Sequence, residues 1–487
     1  MSERLSNDDL PRISTEVTRE PCPHCGVLVK EGALKCRGCH RWLGKPRRRS
    51  VLKRSLSIVA ATMVATVGVF VGARKSPVGE APPLTPMTTA EAAAQAAAAP
   101  VADIDPPEGQ LLDVVEPEKH DRTEWTSRHI MTDVHPLDAA FSADGTQIFV
   151  SGDDATLRAF DVATGRVLHL KRMPAQGDRI RLLHDRYVAM IREVEAAHIP
   201  IADTHNWDQE PAMLWVGRHP ADVIAMPDGK TVVTASSMGQ RLSWYDLETK
   251  RRLANIKLPH ATQRLYLLAL PDERPYVAAM GLLHRAGRPA GAWLDLFDPS
   301  ETPFGATRRS IAVGRDPGPG AVSADGSRLF FADPLSNTAS LVRVDEITNT
   351  QTMPVGHGPI ASFLLHGDRY GVTLDGENRT ATVIDLESQS TQTLMLEGVP
   401  RAGATSPDGS TLYVSLGGSA WPPKGSGSVV IGGVPPQIIA TLKTDRGASR
   451  VVASPRGRRA AVANYHGKTL TIIEPKPMPP KADQPPP

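Results

Sequence analysis

Short segments in which apolar and polar residues alternate fill the chain from residue 126 to residue 475. Three of them share one pattern, AFSADGTQIFVS at 140–151, AVSADGSRLFFA at 321–332 and GATSPDGSTLYVS at 403–415. Alternation with a period of two predicts strands with one buried face, and an Asp-Gly pair supplies the positive φ angles of a tight hairpin. Each pattern therefore predicts two antiparallel strands joined by a tight turn.

Acidic residues mark the end of a further strand at regular intervals along this region. They are Asp161, Asp203, Asp246, Asp298, Asp345 and Asp385, followed by an equivalent position near Gly433 that lacks the acid, and by Glu474. The intervals from Asp161 to Asp385 run from 40 to 52 residues, the length of one four-stranded blade. Eight positions predict an all-β, eight-bladed propeller; the alternative, a seven-bladed ring, needs about 50 residues per blade.

The last of these positions is followed by no fourth strand, and the N-terminal end of the region offers one. Residues 126–132 (TSRHIMT) precede the first complete repeat and resemble the outer strands predicted at 309–313 and 350–353. We expect this strand to complete the last blade and close the ring, because closure removes exposed sheet edges.

An apolar segment, 55–73 (SLSIVAATMVATVGVFVGA), contains 19 residues and no charge. At about 1.5 Å per residue, a helix of this length nearly crosses a hydrocarbon core about 30 Å thick. Six basic residues in 45–54 precede it and two follow it, so the positive-inside bias places the N-terminus in the cytoplasm. The sequence predicts a single-pass protein of a bacterial inner (cytoplasmic) membrane, with the propeller periplasmic or extracellular.

Two other interpretations of this segment are open. It could be a buried helix of a soluble domain, although it has no polar face. It could also be a cleaved signal, because Val71-Gly72-Ala73 loosely fits a small-residue cleavage site. The long N-terminal region, with its own candidate metal site, favours an uncleaved transmembrane helix.

All four cysteines of the chain stand in two CxxC pairs, Cys22/Cys25 and Cys36/Cys39, separated by ten residues. Two such turns supply the four thiolates of a tetrahedral Zn²⁺ site. Short strands are predicted at 27–29 and 33–34. The segment 20–44 resembles the zinc ribbons at many bacterial protein N-termini, which implies a structural Zn²⁺ whose binding is coupled to folding.

Two further readings of the cysteines compete with zinc. The residues Cys36 to Cys39 with His40 also match the CxxCH pattern of haem attachment, but attachment takes place outside the cytoplasm and would leave Cys22 and Cys25 without a role. A redox dithiol is the other alternative. The ribbon could bind a partner or cap the N-terminus.

Composition assigns the remaining segments. Lys and Arg total 55 against 53 Asp and Glu, a balance that argues against nucleic-acid binding. We expect a disordered N-terminus at 1–19, a basic juxtamembrane segment at 45–54, an Ala/Pro-rich linker at 74–125 and a Pro-rich tail at 476–487.

The repeats resemble a known family. Gly314-Arg-Asp-Pro317, the Ser-Ala-Asp-Gly turn at 323–326 and the return to Val355-Gly356-His-Gly-Pro359 are similar to YVTN-type propeller repeats, relatives of WD40 propellers. The resemblance covers 126–475 and implies the propeller fold. Members include lactonases, surface-layer proteins and binding scaffolds, so it does not choose a function.

Candidate chemistry on the propeller is sparse. His135, His219, His260 and His357 stand near the starts of repeats, where a metal-binding cluster or four separate turn residues are the alternatives. Asp161, Asp246, Asp345 and Asp385 each precede a turn, where a carboxylate accepts backbone N–H bonds. We interpret the acids as structural.

Two insertions interrupt the period, 283–292 (LHRAGRPAGA) and 417–427 (GGSAWPPKGSG). Loops on a rigid scaffold commonly carry binding residues. Trp421 is therefore the candidate partner-binding residue, with an idle loop tip as the alternative.

The leading functional hypothesis is a membrane-anchored, extracytoplasmic propeller that acts as a non-enzymatic scaffold for a protein, peptide or other ligand. The alternative is a tethered enzyme, either a lactonase-like hydrolase or a metal- or haem-dependent oxidoreductase. A hydrolase should gather free carboxylates at the central channel, whereas a binding module should expose an apolar or aromatic patch.

Overall fold

The structure is a computed structural model that describes residues 19–21, 28–30, 124–193, 196–269, 275–285, 288–300, 308–343 and 350–476. Within these ranges no helix has the length and apolar character needed to cross a bilayer. The predicted span at 55–73, the basic segment at 45–54 and the tail after residue 476 lie outside the described residues, as does the linker up to residue 123.

The described residues of the N-terminal unit form one short antiparallel hairpin. Strand β1 (Arg19–Pro21) pairs with β2 (Leu28–Lys30), and Pro21 lies opposite Leu28. Strand β2 corresponds to the strand predicted at 27–29. All four cysteines, and the second predicted strand at 33–34, lie outside the described residues.

The C-terminal unit consists of eight four-stranded antiparallel sheets, here called blades 1 to 8. Blades 1 to 4 contain β4 (Pro136–Phe141), β5 (Gln147–Gly152), β6 (Thr156–Asp161) and β7 (Val167–Arg172); β8 (Arg179–Leu183), β9 (Tyr187–Ile191), β10 (His198–Asp203) and β11 (Ala212–Trp215); β12 (Pro220–Ala225), β13 (Thr231–Ser236), β14 (Arg241–Asp246) and β15 (Arg252–Lys257); and β16 (Ala261–Ala269), β17 (Pro275–Arg285), β18 (Arg288–Phe297) and β19 (Arg308–Ala312).

Blades 5 to 8 follow the same order. They contain β20 (Ala321–Val322), β21 (Arg328–Asp333), β22 (Thr338–Arg343) and β23 (Thr350–Pro354); β24 (Pro359–Leu365), β25 (Tyr370–Asp375), β26 (Thr380–Asp385) and β27 (Thr391–Met395); β28 (Ala402–Thr405), β29 (Thr411–Ser415), β30 (Ser428–Gly432) and β31 (Gln437–Leu442); and β32 (Ala448–Ala453), β33 (Ala460–Asn464) and β34 (Thr469–Pro475), completed by β3 (Trp125–Met131). The prediction of eight blades is confirmed.

The ring closes through its two chain ends. Strand β3 pairs with β34 over its whole length, from Trp125 opposite Pro475 to Met131 opposite Thr469. The predicted closure by an N-terminal strand is therefore confirmed. Strand β3 is the fourth, outermost strand of blade 8, so it covers the edge that β34 would otherwise expose.

The first strands of successive blades contact one another around the ring, and β32 of blade 8 returns to β4 of blade 1. They form the wall of the central channel. Eight apolar clusters fill the spaces between neighbouring blades; one joins Phe141 of blade 1 to Leu470 of blade 8, and another joins Tyr413 of blade 7 to Val462 of blade 8. The propeller is therefore stabilised by burial between sheets.

One local prediction differs from the structure, and one blade forms its first turn without the Asp-Gly pair. The segment 283–292, interpreted as a loop insertion, instead extends β17 and β18 into a long hairpin, with Leu283 opposite Gly291 and Arg285 opposite Arg288. Blade 2 lacks an Asp-Gly pair, and its first turn places His184 and Asp185 at φ 48° and 54°. A positive φ is thus supplied here without glycine.

Candidate binding surface at the channel mouth

The antiparallel topology gives the ring two unlike faces. Each first strand begins at one face, which we call the mouth face, and the turns between second and third strands lie there too. The turns between first and second strands lie at the opposite face, the far face. Residues at the start of the first strands therefore surround one opening of the channel.

Eight charged residues stand on the first strands or directly before them. They are Asp138, Asp178, Arg179, Arg181, Asp222, Arg264, Arg401 and Arg450. Blades 1 to 4 carry three aspartates and three arginines, blades 5 and 6 carry none, and blades 7 and 8 carry only Arg401 and Arg450. The excess of positive charge thus lies at blades 7 and 8.

Two of the aspartates connect neighbouring blades through backbone hydrogen bonds. Asp138 of blade 1, 5% exposed, accepts the N–H groups of Ala139 and of Ile180 in blade 2. Asp222 of blade 3, 3% exposed, accepts those of Val223 and of Leu265 in blade 4. Both carboxylates are engaged by the backbone, and this does not suit a general acid or base.

Arg179 is a buried arginine with an unsatisfied donor. Arg179 is 6% exposed. Its Nη2 donates to the carbonyl of Ala221 in blade 3, and its Nη1 has no hydrogen-bond partner among the described residues. Burial, reinforced by the charge of Arg264, lowers its pKa to about 10. A guanidinium with a free buried N–H favours an anion or a polar group beside it.

Three other arginines at the mouth, Arg264, Arg401 and Arg450, also form no ion pair with a carboxylate of the described residues. Arg264 donates to the carbonyl of Gln263, Arg401 donates to backbone carbonyls, and no ion pair joins either of them or Arg450 to an acid. By contrast, Arg181 lies 3.7 Å from an oxygen of Asp222. Among the described residues, these three arginines and Arg179 thus make no ion pair with a carboxylate, although Arg179 and Arg450 both act on the nearby Asp178 carboxyl.

The insertion at 417–427 forms a braced loop over blades 7 and 8. Arg401 Nη1 donates to the carbonyls of Gly418 (3.0 Å) and Ala420 (2.9 Å), and Ala448 donates its N–H to Gly425 (3.0 Å). A Cβ at Gly417 would lie 1.6 Å from the Ala448 carbonyl oxygen, so this close approach requires glycine. The loop is fixed to the start of β32.

Trp421 stands exposed on this loop, with 59% of its surface accessible. Its ring lies 5.3 Å from that of Tyr465, and the guanidinium of Arg401 lies 5.6 Å from it. Tyr465 stacks on His135 at 4.7 Å, and the His135 Nδ1 lies 2.7 Å from the Tyr465 carbonyl oxygen. We call Trp421, Tyr465, His135 and Arg401 the Trp421 surface; it spans blades 7, 8 and 1.

The four histidines near repeat starts have separate surroundings. His135 contacts Tyr465, His260 Nδ1 lies 3.1 Å from Asp295, and His357 Nδ1 lies 3.2 Å from Asn337; His219 occupies a turn at φ 58°. Among the residues that the structure describes, no three His, Cys, Asp or Glu side chains are grouped to hold a metal ion.

The acidic strand ends are structural where the structure describes them. Asp161 accepts the N–H of Thr164 at 2.7 Å, Asp246 that of Thr249 at 2.8 Å and Asp385 that of Glu387 at 3.0 Å. The predicted turn role is confirmed for these three. Asp345 lies outside the described residues.

One Ser, His and Asp set does assemble in space, inside blade 4. Asp295 is fully buried, and its two oxygens contact His260 at 3.1 Å and Ser310 at 2.5 Å. The histidine ring stacks on Trp293 at 5.1 Å. In a nucleophilic triad the histidine stands between serine and acid; here the acid stands between them, which fits a structural network across three strands.

Sequence reasoning pointed to Trp421 but missed the arginines. The structure brings Arg401 beneath Trp421 and Arg450 onto the neighbouring first strand. Arg179 and Arg401 each stand four residues before the last paired residue of the first-strand pairing, Leu183 and Thr405, and Arg264 stands five residues before Ala269. An alignment of the repeats at the starts of their first strands would have pointed to these arginines.

Comparisons with known proteins provide similarity of structure alone. No protein-family model matches the chain, and no curated protein matches it. Kuenenia stuttgartiensis hydrazine synthase is similar with a TM-score of 0.48 and 18% identity, over 71% of this chain and 97% of that chain. The Myceliophteria thermophila Cps50 (Swd1) β-propeller domain is similar with a TM-score of 0.44 and 10% identity, over 72% and 100%.

Proposed function

We propose that this protein is a membrane-anchored, non-enzymatic binding scaffold whose propeller engages a protein partner through the Trp421 surface. The observation that carries the proposal is the exposed Trp421 ring on a braced loop. Its anchoring by Arg401 and Tyr465 restricts the loop before binding, and a rigid exposed aromatic is the typical centre of a protein interface.

The surroundings of the channel support binding over hydrolysis. Of the three aspartates at the first strands, Asp138 and Asp222 accept backbone N–H groups, and Asp178 lies among arginines that include Arg179 and Arg450. A hydrolase of the lactonase type would need carboxylates free to exchange protons or hold a metal. No specific observation favours a second function.

The N-terminal part of the proposal is a cytoplasmic structural zinc ribbon followed by the transmembrane helix at 55–73. Its support is the β1–β2 hairpin: the strands flank Cys22 and Cys25 in the sequence, and a CxxC turn between paired strands suits a zinc ribbon. Cys22, Cys25, Cys36 and Cys39 would hold the ion and supply a fold to a segment with little core of its own.

The test is partner capture by the full-length, tagged chain in its own cells. Cells producing wild-type or W421A protein are cross-linked, and recovered proteins are compared by quantitative mass spectrometry. We expect W421A to lose its specific partner at least tenfold, because interface hot spots contribute about 2 kcal/mol or more.

Met395 provides the matched control. It is 70% exposed and lies at the end of the outer strand of blade 6, whereas the Trp421 surface belongs to blades 7, 8 and 1. M395A should recover the partner like wild type. Equal recovery by W421A, at an unchanged melting temperature, would refute the proposal.

A further inference from the structure

Positive charge lies at the first strands beside the Trp421 surface, while the Asp153 carboxylate borders that surface at the His135 N–H. Arg401 and Arg450 are the charged residues that blades 7 and 8 place at the start of their first strands. They are close enough for Arg450, after burial, to lower the pKa of Arg401. Two like charges held together favour an anion between or above them.

Further arginines lie across the channel, where the aspartates of blades 1 to 3 balance their charge. Arg450 of blade 8 acts on the Asp178 carboxyl of blade 2, although burial of that carboxyl dominates and raises its pKa. The residue that follows Asp178 is Arg179, whose buried Nη1 has no hydrogen-bond partner among the described residues. Arg264 of blade 4 in turn acts on Arg179. Arginines on blades 2, 4, 7 and 8 thus surround the mouth.

An extended ligand fits this layout better than one small anion does. The arginines occupy different sides of an eight-bladed ring, and one carboxylate cannot contact all of them. Trp421 and Tyr465 add an aromatic platform beside Arg401. Successive carboxylates with apolar groups between them would satisfy both features, since guanidinium groups pair with carboxylates in fixed geometry.

We propose that the channel mouth binds an acidic segment of a partner protein, with carboxylates on Arg450, Arg401, Arg264 and Arg179 and adjoining side chains on Trp421. This inference rests on the proposed function and names the chemistry of the partner.

The test uses the purified full-length chain in detergent and a fluorescein-labelled peptide of six glutamates, with fluorescence anisotropy as the readout. The wild type should bind the glutamate peptide and not a peptide of six lysines. R450E and R264Q should each weaken binding at least tenfold, and added salt should weaken it further. R450E is informative because the Arg450 side chain is exposed and donates no hydrogen bond to the residues that the structure describes.

R166E is the control, since Arg166 is an exposed arginine at the far face whose side chain has no hydrogen-bond or ion-pair partner within the described ranges. It should bind like wild type. Equal weakening by R166E and R450E would overturn the inference, because binding would then follow overall charge. Failure of the wild type to bind the glutamate peptide would overturn it too.

Competition with succinate separates an extended segment from a small dicarboxylate. Retention of the peptide in excess succinate supports the inference; full displacement at equal carboxylate concentration overturns it. If the cross-linked partner depends on Trp421 but persists in R450E, the acidic-segment inference fails while the proposed function stands.

Discussion

At the scale of single residues, Arg179 combines a binding role with a penalty in stability. Its guanidinium is buried, one N–H is unsatisfied and its pKa falls to about 10. A base whose pKa is lowered by folding destabilises the fold at every pH below that value, because the charged form is disfavoured there. The shift corresponds to about 3 kcal/mol as an upper bound.

We therefore expect R179M to be more stable than wild type while losing affinity for acidic peptides. The gain from removing the buried charge is offset by the lost hydrogen bond to the Ala221 carbonyl, about 1 kcal/mol. The net gain in the free energy of unfolding should raise Tm by about 2 °C or more. Circular dichroism at pH 7 measures this rise.

R181M is the matched control for this change. Arg181 lies on the same strand, its side chain is 42% exposed and it pairs with Asp222. Its replacement should leave Tm unchanged or slightly lower. A clear fall in Tm for R179M would show that Arg179 has a compensating partner in the unliganded protein.

At the scale of elements, one hairpin turn recurs in blades 1, 5 and 7. Its Asp accepts hydrogen bonds from two hydroxyl side chains and a backbone N–H; the sets are Ser142, Asp144 and Thr146, then Ser323, Asp325 and Ser327, then Ser406, Asp408 and Ser410. These bonds lower the pKa of each of the three carboxyls, as does the position beside basic residues. The Asp-Gly signal thus encodes a side-chain network as well as a backbone turn.

The Asp325 turn should make stability depend on pH in acid. Hydrogen bonds from Ser323, and then from Ser327, lower its pKa to about 2. A depressed pKa adds stability above the unfolded value near 3.8, and this stability is lost as the pH falls toward 2. D325A should cost about 0.5 kcal/mol at pH 7, because the turn is exposed.

Urea unfolding of wild type and D325A at pH 7, 4 and 2.5 measures this dependence. The difference between their midpoints should narrow as the pH falls. D208N, at an exposed aspartate whose carboxylate makes no hydrogen bond, should show no difference at any pH. A constant gap between wild type and D325A would mean that the carboxylate charge is not involved.

At the scale of the whole molecule, the ring joins residues that are far apart in sequence. Trp125 pairs with Pro475, and Trp421 of blade 7 reaches His135 of blade 1 through Tyr465. The Trp421 surface therefore exists only when the ring is closed. Opening blade 8 would separate His135 from Tyr465 and disturb the surface without changing any residue in it.

The proposed topology makes a prediction at the same scale, because every cysteine lies in the N-terminal segment. A membrane-impermeant maleimide applied to cells with a permeabilised outer membrane should label M395C, on the exposed outer strand of blade 6. In the wild type, Cys22, Cys25, Cys36 and Cys39 should react only after the inner membrane is opened and zinc is removed by a chelator.

Two results would contradict this arrangement. Labelling of wild-type cells with the inner membrane intact would place the cysteines outside the cytoplasm. The metal site would be refuted if the cysteines reacted after the inner membrane was opened without any chelator, and if the protein also contained less than about one zinc per chain.

Much of the fold was predictable because its signals are local. Asp-Gly turns, alternating strands and intervals of 40 to 52 residues predict blades wherever they occur. The segment 283–292 was misread as a loop because its Gly and Pro residues are also compatible with the extended β17–β18 hairpin. Trp421 was predictable as an exposed aromatic in an insertion; its neighbours were not.

The sequence by itself determined the repeating blades and their number, since these depend on patterns within about fifty residues. It also indicated the closing strand, because the segment at 126–132 resembles the outer strands of other blades and the last blade lacks a fourth strand. It also carries the prediction of a ribbon, of which the structure describes the β1–β2 hairpin, and of a span, which lies outside the described residues. Only the tertiary structure decided that Arg179, Arg264, Arg401 and Arg450 share one opening, that Asp138 and Asp222 are engaged by neighbouring blades, and that Tyr465 supports Trp421. These depend on which blades meet around the ring, and side-chain charge and exposure are set there by contacts between residues distant in sequence.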